Sequence, residues 1–405
     1  MPEKQYNFID LFAGCGGLSE GFYKQGFNAL AHIEINHFAC ETLKTRMNYY
    51  GYENADSAVM EEDITVRDIV KRIEKVVGKQ EVDIIIGGPP CQSFSPLGKA
   101  KDEKNMQDDP RNYLFENYVK VLNHFKPKFF VFENVTGLLD TEVKGESIFK
   151  MILRRLRRNY YVLSDENTIV LNAINYGVPQ ERKRVILLGV RRDIDVRPQD
   201  VYRAIVKTHY LSDVDEADKQ GRKKYVTVRD AIGDLPHIQQ GGGVVRAAYT
   251  NSFQDCNEYV KLMRNPNNGI LLDHTARKNN EKDVERYRVM AENKWNFLQL
   301  LENRPDLGHE KKRVFFNSYK VQWWDLPSKT IIAHLYKDGN QFIHPDYTQG
   351  RSITVREAAR LQSFPDDFVF EGSRTEQFKQ IGNAVPPLLA EAIAKAMKQF
   401  LDKME

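Results

Sequence analysis

Four cysteines in 405 residues, Cys15, Cys40, Cys91 and Cys256, are too few and too irregularly spaced for a disulfide framework or a metal-ligand set. No metal is expected, and thiols used this sparingly suit a reducing compartment. An excess of one charge is missing as well. Lys and Arg number 59 against 56 Asp and Glu, a formal +3, so any polyanion site must come from local clustering. No apolar run approaches the length of a membrane span, and the N-terminus MPEKQYNFID lacks the layout of a signal peptide. The expectation is a cytoplasmic protein without a membrane partner. Internal repeats, low-complexity tracts and a GxGxxG dinucleotide fingerprint are absent too, and the last absence counts against a nicotinamide-dependent oxidoreductase.

What is present centres on Val82 to Ser95, VDIIIGGPPCQSFS. Ile84, Ile85 and Ile86 form a β-branched run suited to a parallel strand covered on both faces. Gly87 and Gly88 admit close approach to the backbone, and Pro89 and Pro90 cannot continue a central strand. Cys91 is thereby held on a stiff elbow beyond the strand's carboxyl end, the edge where open α/β sheets bind ligands. A free cysteine is also commonly a small buried apolar residue. This stretch alone leaves both readings open.

A first strand, Tyr6 to Phe12, enters the glycine turn Ala13-Gly14-Cys15-Gly16-Gly17 before a helical pattern through Leu18, Phe22 and Phe27. Such a turn lets a cofactor approach the strand end. A second strand, Ala29 to Ile33, ends at Glu34, where a carboxylate can accept from ribose hydroxyls or simply be solvated. Asp63 could accept from an adenine amino group, or cap a helix. Ser95 to Asn112 is polar and long for a loop, as lids are. Helical spacing returns over Leu114 to Phe125, and a strand over Phe129 to Phe132 ends in Glu133-Asn134-Val135. A basic helix over Ile148 to Arg158, strands near 161–163 and 168–171, and a strand from Val185 to Val190 complete an alternation that predicts a doubly wound parallel sheet. From about Arg192 to residue 350 the pattern is polar and irregular, with basic groups and aromatics. Regularity resumes at Thr354 to Gln362 and in a helix opened by Gly382-Asn383.

In their order, these blocks resemble the cytosine-C5-specific DNA methyltransferase family of restriction-modification systems. The motifs are FIDLFAGCGG at 8–17, Glu34, Asp63-Ile64-Thr65, GGPPCQSFS at 87–95, ENV at 133–135, QERKR at 180–184, RSITVREAARLQSFPDDF at 351–368 and GNAVPP at 382–387. The resemblance implies a Rossmann-like S-adenosylmethionine-dependent α/β sheet with a second, smaller, irregular target-recognition domain. The catalytic domain would be 1–191 completed by 376–405, and the target-recognition domain 192–375. Phe12, Gly14, Gly16, Gly17, Glu34, Ile35, Asp63, Ile64, Pro90, Leu114, Asn383 and Val385 would line the S-adenosylmethionine site, which releases S-adenosylhomocysteine. Cys91 would be the nucleophile, with Glu133, Arg182 and Arg184 around the target base. Gln92, Ser95, Lys99 and Arg111 would contact DNA. The expected partner is double-stranded DNA and the expected state a monomer. A branch of the same family acts on tRNA, but a variable region of about 160 residues favours DNA. A catalytically dead DNA-binding module fits poorly with Cys91 and Glu133 both in place.

The chemistry accounts for the residue types. Cytosine C5 is a poor nucleophile, and a thiolate adding at C6 converts the ring into an enamine. A carboxyl group at N3 draws electrons out of the ring as the thiolate attacks. Paired arginines hold a carbonyl, a phosphate or the carboxylate itself. The target base must leave the stack to be reached, at about a few kcal/mol.

Overall fold

Strand β1 (Asn7–Leu11) lies in an eight-stranded sheet, and burial of Phe8, Ile9 and Leu11 accounts for the apolar run that announces it. The computed structural model describes residues 5–90, 110–211, 219–308 and 319–404. Parallel ladders join β1 to β2 (Asn28–Glu34) and to β4 (Ile84–Gly87). Further parallel ladders join β2 to β3 (Val59–Glu61) and β4 to β5 (Phe129–Val135). The remaining strands are β6 (Tyr160–Val162), β7 (Val170–Asn172) and β8 (Lys183–Arg191), and the order is β3-β2-β1-β4-β5-β8-β6, with β7 also on β8. Winding reverses between β1 and β4, so their carboxyl ends flank the switch point where such sheets bind ligands.

Three expectations about these elements are corrected. The sheet is not wholly parallel, because β8 runs antiparallel to β5, β6 and β7. It is reached from β7 by a turn and loop with no crossover helix, which an antiparallel ladder permits. Glu133 lies inside β5, since the ladder with β8 continues as far as Val135 opposite Arg184. Thr168 and Ile169, expected in a strand, belong to a short helix (Glu166–Ile169) whose first turn is capped by Asp165.

The chain divides into two compact units, and their limits differ from those expected. The first contains the sheet and comprises residues up to Tyr176, Lys183–Lys207 and the stretch from Pro387 onward. Residues 192–207 belong with it because Tyr202, on helix Pro198–Ala204, donates to the Ile186 carbonyl at 2.6 Å and accepts from Leu188 N at 3.0 Å, clasping β8. The last helix, Pro387–Asp402, buries Leu389, Ile393 and Met397, while Leu388 is half-buried. It packs on helix Gly17–Lys24 so tightly that a Cβ on Gly21 would stand 2.2 Å from Glu391 N. Gly382-Asn383 does not open this helix. Asn383 ends the preceding helix, Arg374–Asn383, and Pro387 supplies the fixed φ of a first helical residue.

The second unit, Gly177–Arg182 with Thr208–Pro386, is more regular than its polarity suggests. Tyr287, Met290, Phe297, Leu300 and Ile343 form an apolar cluster around helix Glu281–Asn293. A second cluster is built on buried arginines. Thr354 and Glu357 form a reciprocal cap at the start of helix Val355–Leu361, and Arg351 donates to both Glu357 oxygens at 2.7 and 2.8 Å. Arg356 and Arg360, both fully buried, bond to the Leu272 carbonyl and to Asp366 respectively. Lone buried guanidinium ions would be prohibitively costly, and these partners offset that cost.

Candidate active site

The turn after β1 is tied to the end of β2. Glu34 accepts from Gly14 N at 2.8 Å through one oxygen, and from Ile35 N at 3.0 Å and Asn36 N at 2.8 Å through the other. Gly14 has φ +55°, and among the described residues nothing lies within 4 Å of where a Cβ would be, so glycine serves a left-handed turn with space above it. Gly16 has φ +86°, and Gly17 begins the following helix. Phe12 has φ +59°, an uncommon conformation for a side-chain-bearing residue and one that concentrates at ligand sites. Ile35 is 66% exposed at the strand end. Glu62 N donates to the Glu34 carbonyl at 2.9 Å, bringing Asp63 to the same edge. There Asp63 is exposed and accepts from Thr65 N at 2.8 Å, while Ile64 is buried. Leu114 opens helix Leu114–Phe125 and is half-buried, and Pro90 is exposed. Asn383 and Val385 are part of the second unit.

The ends of β4, β5 and β8 bring together a carboxylate and a guanidinium. Arg184 Nε lies 3.0 Å from Glu133 Oε1, with the side chains only 11% and 13% exposed. Burial, the larger effect, lowers the Arg184 guanidinium from its ordinary range, and Glu133 opposes that shift. A Cβ on Gly88 would stand 2.7 Å from Glu133 Oε2, so the second glycine of GGPP is what admits this carboxylate to the elbow. Gly87 has a different task, because a Cβ there would stand 2.3 Å from the Leu11 carbonyl. Asn134 Nδ2 donates to the Pro89 carbonyl at 3.1 Å and pins the elbow to β5. Tyr118 donates to the carbonyls of Ile85 and Val131, tying the two strands together.

Arg182 is placed otherwise than expected. It is buried in the second unit and donates to the carbonyls of Ile331, Gly382 and Ala384 at 2.6, 3.1 and 2.9 Å. Cys91, Gln92, Ser95 and Lys99 lie outside the described residues. Arg111 is exposed in the turn Pro110–Tyr113.

Beneath the glycine turn is a buried network that sequence reasoning missed. Ser19 donates to Asp10 at 2.6 Å, while His32 Nε2 lies 3.2 Å from the Ser19 hydroxyl and 3.0 Å from Tyr23. Burial pushes the Asp10 carboxyl up to about 8, countered by the Ser19 bond and reinforced by Glu34. Burial also lowers His32 to about 3. Polar residues inside apolar runs were the available signal. Asn134 was likewise visible in a motif but had no assigned task, while the close approach expected at Gly88 is made by Glu133.

The sheet order, the glycine turn and a carboxylate at the end of β2 are those of a methyltransferase of the Rossmann-like class. The family description "C-5 cytosine-specific DNA methylase" matches residues 6–399. The type II methyltransferase M.Bpa9945I of Bacillus paralicheniformis is 35% identical, over 97% of this chain and 99% of its own. The type II methyltransferase M.DdeI of Desulfomicrobium norvegicum is 34% identical, over 98% of this chain and 90% of its own. A prophage-encoded E. coli protein assigned as a DNA modification methyltransferase has a crystal structure that superposes with a TM-score of 0.71 at 25% identity, covering 98% of this chain and 100% of that one. The chain belongs to the C-5 cytosine-specific DNA methylase family, and its activity is that of a DNA (cytosine-5-)-methyltransferase. Among the described residues no helix is long and apolar enough to cross a membrane.

Proposed function

We propose that Cys91, Glu133 and Arg184 carry out the chemistry, and that the second unit selects the duplex sequence on which it occurs. The observation that supports this reading most directly is the nearly buried Glu133–Arg184 pair set against Gly88, three residues before Cys91. Cys91, as thiolate, adds to C6 of a flipped-out cytosine. Glu133 holds or protonates N3 as electrons move toward it, and Arg184 fixes the carboxylate's direction. S-adenosylmethionine supplies, when bound, an electrophilic methyl group for C5. Loss of the C5 proton then lets Cys91 depart. Arg182 acts by holding the backbone around Gly382 and Ala384 in place, not on the base.

The β1–β2 edge fits the cofactor. Glu34 and Asp63 present acceptors at adjacent strand ends, Ile35 offers an apolar surface, and Gly14 leaves space above the turn. Phe12, Gly16, Gly17, Ile64, Pro90, Leu114, Asn383 and Val385 complete this assignment. Gln92, Ser95, Lys99 and Arg111 serve DNA contact. The chain acts as a monomer on double-stranded DNA in the cytoplasm, as the modification partner in a restriction-modification system.

The test is incubation with S-adenosylmethionine and duplex DNA carrying 5-fluorocytosine, whose fluorine blocks the final elimination. A complex stable to denaturing electrophoresis is expected with the wild type and not with Cys91→Ala. Equal trapping by the variant would remove Cys91 as nucleophile. Tritiated cofactor offered with duplex DNA or tRNA separates the two substrate classes.

A further inference from the structure

Within the second unit, strand β9 (Gly243–Ala248) pairs antiparallel with β10 (Ile270–Thr275) to form a two-stranded ribbon. The two strands are treated differently by the fold. β10 is anchored, since the buried Arg356 donates to the Leu272 carbonyl at 3.0 Å. Buried His274 lies within 3.1 Å of Thr354 Oγ1 and 2.8 Å of the Pro236 carbonyl. β9 is left outside. Val244 is 55% and Val245 67% exposed, and Arg246 is exposed beside them. Among the described residues Arg246 has no ion pair or hydrogen-bond partner, and Lys278, also exposed, lies close to Gly241 at the start of the ribbon.

Isolated exposed apolar residues are ordinary, and bare strand edges are usually blunted by charge. Two adjacent valines on an otherwise uncovered strand, next to a cation with no acidic partner, need another account. The strand's position is also strongly specified. Gly243 has φ +91°, and a Cβ there would stand 2.2 Å from the His274 carbonyl, so only glycine lets β9 lie this close to β10. The result is a rigidly mounted ribbon with unused apolar and cationic groups on its outer strand.

We propose that β9 is a specificity-determining element, with Val244 and Arg246 reading base edges in the major groove of the DNA substrate. A two-stranded ribbon is of a width that the major groove admits. Val244 and Arg246, two residues apart, leave the strand on the same side. A guanidinium can donate twice to guanine O6 and N7, and an aliphatic side chain fits a thymine methyl group. Val245 leaves on the other side and lines the flank. Arg246 on the outer strand and Lys278 near the start of the ribbon complement the polyanion, and this favours DNA over a protein strand added to the β9 edge. The proposal rests on the reading that the second unit selects the DNA sequence.

The test is methylation of a random-sequence duplex library by the full-length enzyme, with modified sites mapped by deamination sequencing. Wild type, Val244→Ser, Arg246→Ala and Arg246→Lys are compared, alongside an enzyme whose residues 208–386 are exchanged for those of a relative with a different target. Arg246→Ala is expected to lose discrimination at one position of the consensus and to lower kcat/KM on the consensus duplex roughly 10- to 100-fold. Most of the change should fall in KM, with an unaltered melting temperature. Val244→Ser should relax a neighbouring position, and Arg246→Lys should retain part of the guanine preference. An unchanged consensus in all three point variants overturns the proposal, even if self-association changes. A loss that is uniform over sequences and accompanied by a weaker salt dependence also overturns it, because Arg246 would then be a phosphate contact. If the exchange moves the consensus while the point variants do not, the ribbon assignment alone fails. If the exchange also leaves it in place, the reading of the second unit fails with it.

Discussion

Gly87 and Gly88 are neighbours with the same side chain, and replacement of each by alanine should damage different properties. In Gly88→Ala the new Cβ would start 2.7 Å from Glu133 Oε2, whereas ordinary contact begins at 3.4 Å, so the carboxylate has to retreat by about 0.7 Å. The obstructing atom is the tip of a side chain and the fold can absorb its motion. The 3.0 Å contact with Arg184 cannot be kept unchanged, however. A displacement approaching 1 Å at a reacting group costs on the order of 100-fold in rate, or about 2.7 kcal/mol of barrier. Methyl transfer from tritiated S-adenosylmethionine to saturating duplex DNA should therefore fall roughly 100-fold in kcat, with cofactor affinity and thermal midpoint nearly unchanged. In Gly87→Ala the Cβ would meet the Leu11 carbonyl at 2.3 Å, which is backbone inside a parallel ladder and cannot move aside. That variant should lose about 3 kcal/mol or more of stability. A Gly88→Ala enzyme whose kcat stays within about threefold of wild type, or one that unfolds as Gly87→Ala does, would refute the reasoning.

Glu34→Ala removes the acceptor of three backbone N–H groups and should weaken S-adenosylmethionine binding by about 10- to 100-fold, read by calorimetric titration. Unaltered affinity would detach Glu34 from the cofactor site. Asp10 is held protonated in the folded chain to about pH 8 against an ordinary value of 3.8, so the folded state binds the extra proton between those limits and stability falls as pH rises through them. Urea unfolding at pH 5, 6.5 and 8 should accordingly show a flatter pH dependence for Asp10→Asn than for wild type, and identical slopes would argue against a protonated Asp10. Gly21→Val should lower the thermal midpoint of the first unit sharply, because its side chain would displace the backbone at Ala390 and Glu391. A midpoint close to wild type would contradict the packing of the last helix there.

Sequence alone determined the elements whose signals are local. The β-branched run Ile84–Ile86, the glycine turn from Gly14 to Gly17 and helix Leu114–Phe125 follow from backbone preferences acting over a few residues. The chemical character of Cys91, Glu133 and Arg184 was legible for the same reason, since side-chain type is written directly in the chain.

Tertiary structure decided everything that depends on which strand lies beside which. β8 could be recognised as a strand, but its antiparallel direction is set by its ladder with β5, and that ladder extends β5 through Glu133 and sets Arg184 beside it. The different tasks of Gly87 and Gly88 depend on the atoms facing them, a β1 carbonyl in one case and a carboxylate in the other. Arg182 and Arg184 are two residues apart and similar in type, yet one is enclosed by backbone carbonyls and the other faces Glu133. Charge and hydrogen-bonding capacity belong to the residue, whereas burial, partner and protonation belong to the place where the fold puts it.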